Sequence, residues 1–165
     1  MKNRNFYFAG KPRKNCWRHK LVKYLGRYDQ SPGILAQNEF NYLGPFYCKP
    51  DLNRSNENFV WEYLENNELR WSLTWDEAIE QRIRSIKNAD CIFCYIDEDD
   101  CFDALIELGI AISRSIPVFL VFAPGIASDT QNKYKMACFS AEKVYLDKLE
   151  KDLPTVLNEI LRGFK

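Results

Sequence analysis

Glu107 stands in an apolar helical segment, Ile106-Glu107-Leu108-Gly109-Ile110-Ala111-Ile112-Ser113. It lies shortly after a wholly apolar run, Cys91 to Ile96, that ends in Asp97-Glu98-Asp99-Asp100. A carboxylate in such surroundings is a candidate nucleophile, and the small residues Gly109 and Ala111 after it let a ligand or another backbone approach. Asp103, Glu107 and Arg114 fall within about 40° of one another on a helix of about 100° per residue, a pattern that a solvated polar face shares. Asp103, one turn ahead, is a like-charge neighbour that costs roughly 0.2–0.5 kcal/mol. Asp97, Asp99 and Asp100 close the apolar run, where carboxylates can hold ligand hydroxyls or simply face solvent. Tyr7, between Phe6 and Phe8, points to the opposite face of a strand from both. It is either a core aromatic or a hydroxyl that orients Glu107. Arg18, after the first strand, offers a bidentate fork to a phosphate or carboxylate. His19 is the single histidine, and one imidazole makes no metal site, so a structural role within Trp17-Arg18-His19 is expected.

These side chains need elements to place them. Cys91–Ile96 reads as a parallel strand buried on both faces, and Ile116–Phe122 as a second one. Residues 90–122 then form one strand-helix-strand crossover. Asn5–Ala9 reads as the first strand, closed by Gly10 and Pro12; Trp17–Leu25 as the first helix, ended by Gly26; Gly33–Gln37 as a short second strand. Residues 38–70 read as an irregular insert with a short helix from Asn58 to Glu65. Ser72 or Thr74 caps a helix running to about Asn88, whose apolar stripe is Trp75, Ile79, Ile83 and Ile86. Lys143–Leu146 reads as a last strand and Asp147–Arg162 as a last helix, with Pro154 in its first turns. This alternation predicts one α/β domain over residues 1–165, a three-layer, doubly wound, mainly parallel sheet of flavodoxin/Rossmann-like type with its insert at about 38–70. Ligands of such sheets bind beyond the strand carboxyl ends, which puts Glu107 near the cleft.

Composition narrows the partners. Lys plus Arg equals Asp plus Glu at 23 each, so no net field holds a nucleic acid or an anionic membrane, and a small, specific ligand is expected. No apolar run reaches about 18 residues, and the N-terminal stretch lacks the apolar core of a signal peptide, so a cytoplasmic protein with reduced thiols is expected. Cys91 and Cys94 form a CxxC, but within a strand they point to opposite faces, which argues against a zinc site. No phosphate-loop motif occurs, and no cofactor is expected.

The segment NADCIFCYIDEDDCFDALIELGIAISRSIPVFLVF resembles nucleoside 2-deoxyribosyltransferases and related nucleotide N-glycosidases, in which an Ala-Asp-hydrophobic strand leads through acidic residues to Glu-hydrophobic-Gly. FYFAGKPRKNCWRHKLV resembles the family's first strand and its Tyr-hydrophobic-Ala-Gly turn near the sugar. Trp17-Arg18-His19 and Gly44-Pro45-Phe46 resemble motifs of a branch of that family. The resemblance spans roughly residues 5–48 and 75–123. It implies Glu107 as the nucleophile on a sugar's anomeric carbon, Tyr7, Gly10, Arg18, His19, Asp97 and Asp100 around a nucleoside or nucleotide, and a homodimer or higher homo-oligomer. The aromatics of residues 38–70, Tyr42, Phe46, Tyr47, Phe59, Trp61 and Tyr63, are then expected at a contact surface or as a lid.

Two positions depart from the family pattern: Asp103-Ala104 replaces Gly-Thr, and Arg82 replaces a carboxylate on the helix before the Ala-Asp strand. Arg82 cannot accept a proton as a general base. With Arg18 it is expected to favour a monophosphate over a free nucleoside. Three functions remain in play: N-glycosidic cleavage or base exchange, a nucleotide-binding or signalling module without turnover, and NAD cleavage of the Toll/interleukin-receptor-like type.

Overall fold

Phe6, Tyr7, Phe8 and Ala9 are consecutive buried residues, as a strand covered on both faces requires, and they form most of β1 (Arg4–Ala9). The computed structural model describes residues 3–11, 16–23, 25, 34–37, 39–45, 61–65, 68–73, 75–126 and 128–164; the side chains of 61–65, 68–73, 75, 77, 78 and 128–130 are not among the described features. β1 pairs in parallel with β6 (Cys91–Ile96) on one side and β3 (Phe40–Tyr42) on the other. β7 (Val118–Phe122) and β8 (Lys143–Tyr145) continue the parallel sheet beyond β6, while β2 (Leu35–Ala36) caps the far edge antiparallel to β3. The six strands therefore run β2-β3-β1-β6-β7-β8.

Counting only parallel strands, this is the 2-1-3-4-5 order of flavodoxin-like sheets. The chain steps from β1 outward to β3, then returns to the other side of β1 with β6. The strand order thus reverses between β1 and β6, and sheets of this kind bind their ligands beyond the carboxyl ends at such a point.

Strand alternation divides the core into two layers. Phe6, Phe8, Phe93, Tyr95 and Phe119 face α1 (Arg18–Leu21) and α6 (Leu153–Gly163); Tyr7, Ala9, Ile92, Cys94, Ile96 and Leu120 face α2 (Trp75–Lys87), α3 (Phe102–Ser113) and α5 (Lys135–Ser140). Cys91 and Cys94 lie in opposite layers, as their spacing predicts. A short helix, α4 (Ser128–Lys133), precedes α5, and a 3-10 turn at Glu150–Asp152 leads into α6, where Pro154 occupies the first turn. Among the described residues no helix is long and apolar enough to cross a membrane.

The insert differs from expectation. Phe40–Tyr42 is a sheet strand, and Trp61–Glu65 is no helix: it is β4, paired antiparallel with β5 (Glu68–Leu73). Residues 58–60 of the expected helix lie outside the described residues. Tyr42 is wholly buried and donates its hydroxyl to the Pro45 carbonyl, so it is core and not a lid. Ser72 lies within β5, and Thr74, the other expected cap, is not described. The first helix is also shorter than its apolar pattern suggests. It spans four residues and ends where Val22 turns extended. Ile86 of the α2 stripe is buried, whereas Ile79 is 40% exposed.

Candidate functional site

Glu107 reaches the core because α3 presents Ala104, Leu108 and Ala111 to the sheet, all buried, and the two alanines let the helix lie close over β1, β6 and β7. Tyr7 lies on the sheet face that α3 covers. Its hydroxyl donates to Glu107 Oε1 at 2.5 Å, within a buried pair. Glu107 Oε2 is buried and makes no hydrogen bond among the described residues. Burial pushes the Glu107 carboxyl above its usual range, and Asp103 adds to the push; the Tyr7 hydroxyl, Arg18 and Arg82 pull the other way. The Tyr7 phenol is pushed well above its usual range, first by burial and then by the carboxylate it serves. α3 begins at Phe102, so Glu107 sits in its second turn, where the helix dipole has largely faded. Desolvation and Tyr7 therefore decide its state.

The turn after β1 is built around Gly10. At φ +132° it occupies a conformation that side-chain-bearing residues rarely adopt, and a Cβ there would stand 2.5 Å from the Tyr95 carbonyl oxygen. Arg18 fixes this turn from within. It is wholly buried, stacks on Trp17 with its guanidinium carbon 4.4 Å from the ring centroid, and donates to the carbonyls of Phe8 (2.8 Å), Gly10 (2.7 Å) and Lys11 (3.1 Å). The geometry thus commits these donors to the backbone of the turn, where the sequence suggested a phosphate grip. His19 is half-buried, its Nδ1 near the Cys16 carbonyl at 3.3 Å, and burial lowers its pKa.

Beyond β6 the acidic loop is tied to the turn after β1. Lys11 Nζ contacts Glu98 at 2.6 Å and both oxygens of Asp100 at 2.6 and 2.7 Å, joining the turn after β1 to the loop after β6. The pairing pushes the Lys11 ammonium up to about 12 and holds the Asp100 carboxyl below its usual range. Asp97 is partly buried at the start of this loop, and its charge bears on Cys101, whose thiol burial pushes up. Cys101 is accordingly not an activated nucleophile. Lys11 was invisible as a site residue. Its signal was there in the four acids that end the neighbouring strand, which call for a cation at the end of β1.

Arg82 and Asp103 meet at 3.8 Å, with side chains 19% and 63% exposed. Arg82 lies on α2, and its charge acts on both Tyr7 and Glu107. The structure therefore gathers Tyr7, Glu107, Arg82 and Asp103 on one side of the sheet. Gly10, Lys11, Asp97 and Asp100 lie at the strand ends, and Arg18 and His19 form the frame. Gly44 accepts a hydrogen bond from the Phe8 amide at 2.9 Å beside β1, and Phe46 lies outside the described residues. A groove lined by Lys20, Gln37, Phe40 and Asn158 belongs to the α1/α6 side, across the sheet from Glu107. Among the described residues no group of three or more His, Cys, Asp or Glu is placed to hold a metal ion.

No protein-family model matches the chain, and no curated protein matches it.

Proposed function

We propose that the protein cleaves the N-glycosidic bond of a nucleoside or nucleotide, with Glu107 as nucleophile. The observation that carries this reading is the buried Tyr7–Glu107 pair, with one carboxylate oxygen engaged and the other without a hydrogen bond among the described residues, beside the point where the strand order reverses. Glycosidic cleavage passes through an oxocarbenium-like state, which a carboxylate next to the anomeric carbon stabilises and then traps as a glycosyl ester. Tyr7 holds Oε1 and so presents Oε2 to the sugar. Water then displaces the sugar in a hydrolase, or a second base does so in a transferase. The resemblance to nucleoside 2-deoxyribosyltransferases points the same way.

A second reading is a nucleotide-binding or signalling module. It is favoured by Arg82, which stands where the family pattern has a carboxylate, pairs with Asp103 at 3.8 Å and cannot serve as a general base. One assay separates the two. Purified protein is incubated with nucleosides, nucleoside monophosphates and NAD, and released base is followed by chromatography. Base release that disappears in Glu107→Gln supports cleavage; tight binding without release supports the module.

A cytoplasmic setting and a homodimer belong to the same proposal. Phe102 and Ile106 on α3, with Met136 and Phe139 on α5, are largely exposed apolar side chains, Phe139 at 92%. Such surface is better covered by a second copy than by water. Light scattering giving twice the 19.5 kDa chain mass supports the dimer, and the single-chain mass refutes it.

A further inference from the structure

The Tyr7–Glu107 hydrogen bond is one of two ties between the same pair of segments. Tyr7 belongs to β1 and Glu107 to α3, and the second tie joins the turn that follows β1 to the loop that leads into α3. Lys11 makes it, with Nζ 2.6 Å from Glu98 and 2.6 and 2.7 Å from the two oxygens of Asp100. Both ends of this clasp are anchored. The Lys11 carbonyl accepts from Arg18 at 3.1 Å, and Arg18 also holds the Gly10 carbonyl, so the lysine rises from a fixed turn. The Asp100 carbonyl accepts from the Phe102 amide at 2.8 Å, and the Cys101 carbonyl accepts from the Ala104 amide and the Tyr134 hydroxyl, so the loop is fastened to the first turn of α3. From Phe102 to Glu107 the chain is one continuous helix. Contacts and backbone thus close a ring that runs from β1 through Gly10, Lys11, Asp100 and α3 to Glu107, and back to β1 through Tyr7.

We propose that Lys11 is a positioning residue for Glu107: by clasping Glu98 and Asp100 it fixes the start of α3 against the turn after β1 and so keeps the Glu107 carboxylate on the Tyr7 hydroxyl. The inference needs no ligand, and only its consequence for rate rests on the reading of Glu107 as nucleophile. The clasp is suited to position more than to global stability. Its side chains are 32% (Lys11), 42% (Glu98) and 55% (Asp100) exposed, and solvent screening leaves such pairs a small share in holding the fold. A hydrogen bond weakens steeply as its angle closes, so a slight tilt of α3 registers at the Tyr7–Glu107 contact. The groups that bear on Glu107 are Tyr7 on β1, Arg18 on α1, Arg82 on α2, Asp103 on α3 and Cys94 on β6. Of these, Tyr7 is the strongest influence favouring the ionised carboxylate, so a loosened Tyr7 contact lets burial push the carboxyl further up.

The test reads the Glu107 carboxyl itself, with no ligand added. Protein isotope-labelled at the glutamate side-chain carboxyls is titrated by NMR, and the Glu107 signal is assigned by its absence in Glu107→Gln. Wild type is compared with Lys11→Met, Lys11→Arg, Asp100→Ala and, as the limit of a lost contact, Tyr7→Phe. Lys11→Met should raise the Glu107 pKa part of the way to its value in Tyr7→Phe, with the melting temperature nearly unchanged, and Lys11→Arg should restore it. Asp100→Ala separates position from charge. Deleting a carboxylate lowers the pKa of a nearby carboxyl through space, whereas loosening the clasp raises it. Upward shifts in both Lys11→Met and Asp100→Ala support the inference. Opposite shifts in the two, or an unmoved titration in Lys11→Met, overturn it while leaving Glu107 standing as nucleophile. Wild type that releases no base overturns the proposed reaction, and the titrations still decide the role of Lys11.

Discussion

Tyr7 and Glu107 are separated by 100 positions in the chain, yet the Tyr7 hydroxyl donates to the Glu107 carboxylate inside the core, between β1 and α3. The pair ties the first strand to the crossover helix and leaves one carboxylate oxygen for chemistry. Burial disfavours the ionised form of Glu107, and what opposes that cost is Tyr7 together with the charges of Arg18 and Arg82.

Glu107→Gln is expected to abolish base release and to stabilise the fold. A carboxyl whose folded pKa is raised adds stability that is fully present below its unfolded value and is lost as pH rises through the folded one. Glutamine avoids the ionisation altogether, so the variant escapes the loss that wild type suffers as pH rises. Melting curves should place the variant above wild type at pH 7, with the gap closing as pH falls toward the ordinary carboxylate range. Each kcal/mol appears as about 2–4 °C in a chain of this size. A variant that melts below wild type at pH 7 contradicts this account of the site.

Tyr7→Phe should move the acid limb of the activity profile to higher pH, because the hydroxyl is the largest influence pulling the Glu107 pKa down. One hydrogen bond to a charged group contributes about 1.5–3 kcal/mol, so kcat/KM should fall roughly 10- to 100-fold. An unmoved limb with a lower rate would mean that Tyr7 only fills space.

Gly10→Ala should destabilise the protein by about 1–3 kcal/mol, since the backbone is strained for any side chain and the Cβ meets the Tyr95 carbonyl oxygen at 2.5 Å. Denaturant titration measures this directly. An unchanged midpoint would show that the β1 turn can shift away from β6.

Arg18→Ala should destabilise by about 1–3 kcal/mol for each buried carbonyl left without its donor. The ratio of affinities for nucleoside and monophosphate should not change, because these donors hold the turn. Calorimetric titration of a folded variant that loses monophosphate preference alone would restore Arg18 as the phosphate grip.

The central elements were readable because their apolar runs have no other use. Cys91–Ile96 and Val118–Phe122 are buried at every position, and Glu107 stood out as the charge between Ile106 and Leu108. Phe40–Tyr42 was missed because three residues give no periodicity, and its place beside β1 depends on pairing partners distant in sequence. β5 carried a legible signal: Glu68-Leu69-Arg70-Trp71-Ser72-Leu73 alternates with the period of a strand, which also makes its neighbour β4 a strand. Arg18 could not be placed from sequence, since arginine is read as surface until the carbonyls that surround it are known. Lys11 had a signal in the acids that end β6, but its partners lie more than 85 positions away and only the pairing of β1 with β6 brings them together.

The measurement that reaches the central claim most directly is mass analysis of acid-quenched protein during turnover of a nucleoside monophosphate, followed by mapping of any sugar adduct. The account predicts a glycosyl ester on the peptide containing Glu107, formed as base is released and absent in Glu107→Gln. Base that accumulates at an unchanged rate in Glu107→Gln, with the Glu107 peptide unmodified in wild type, would contradict it.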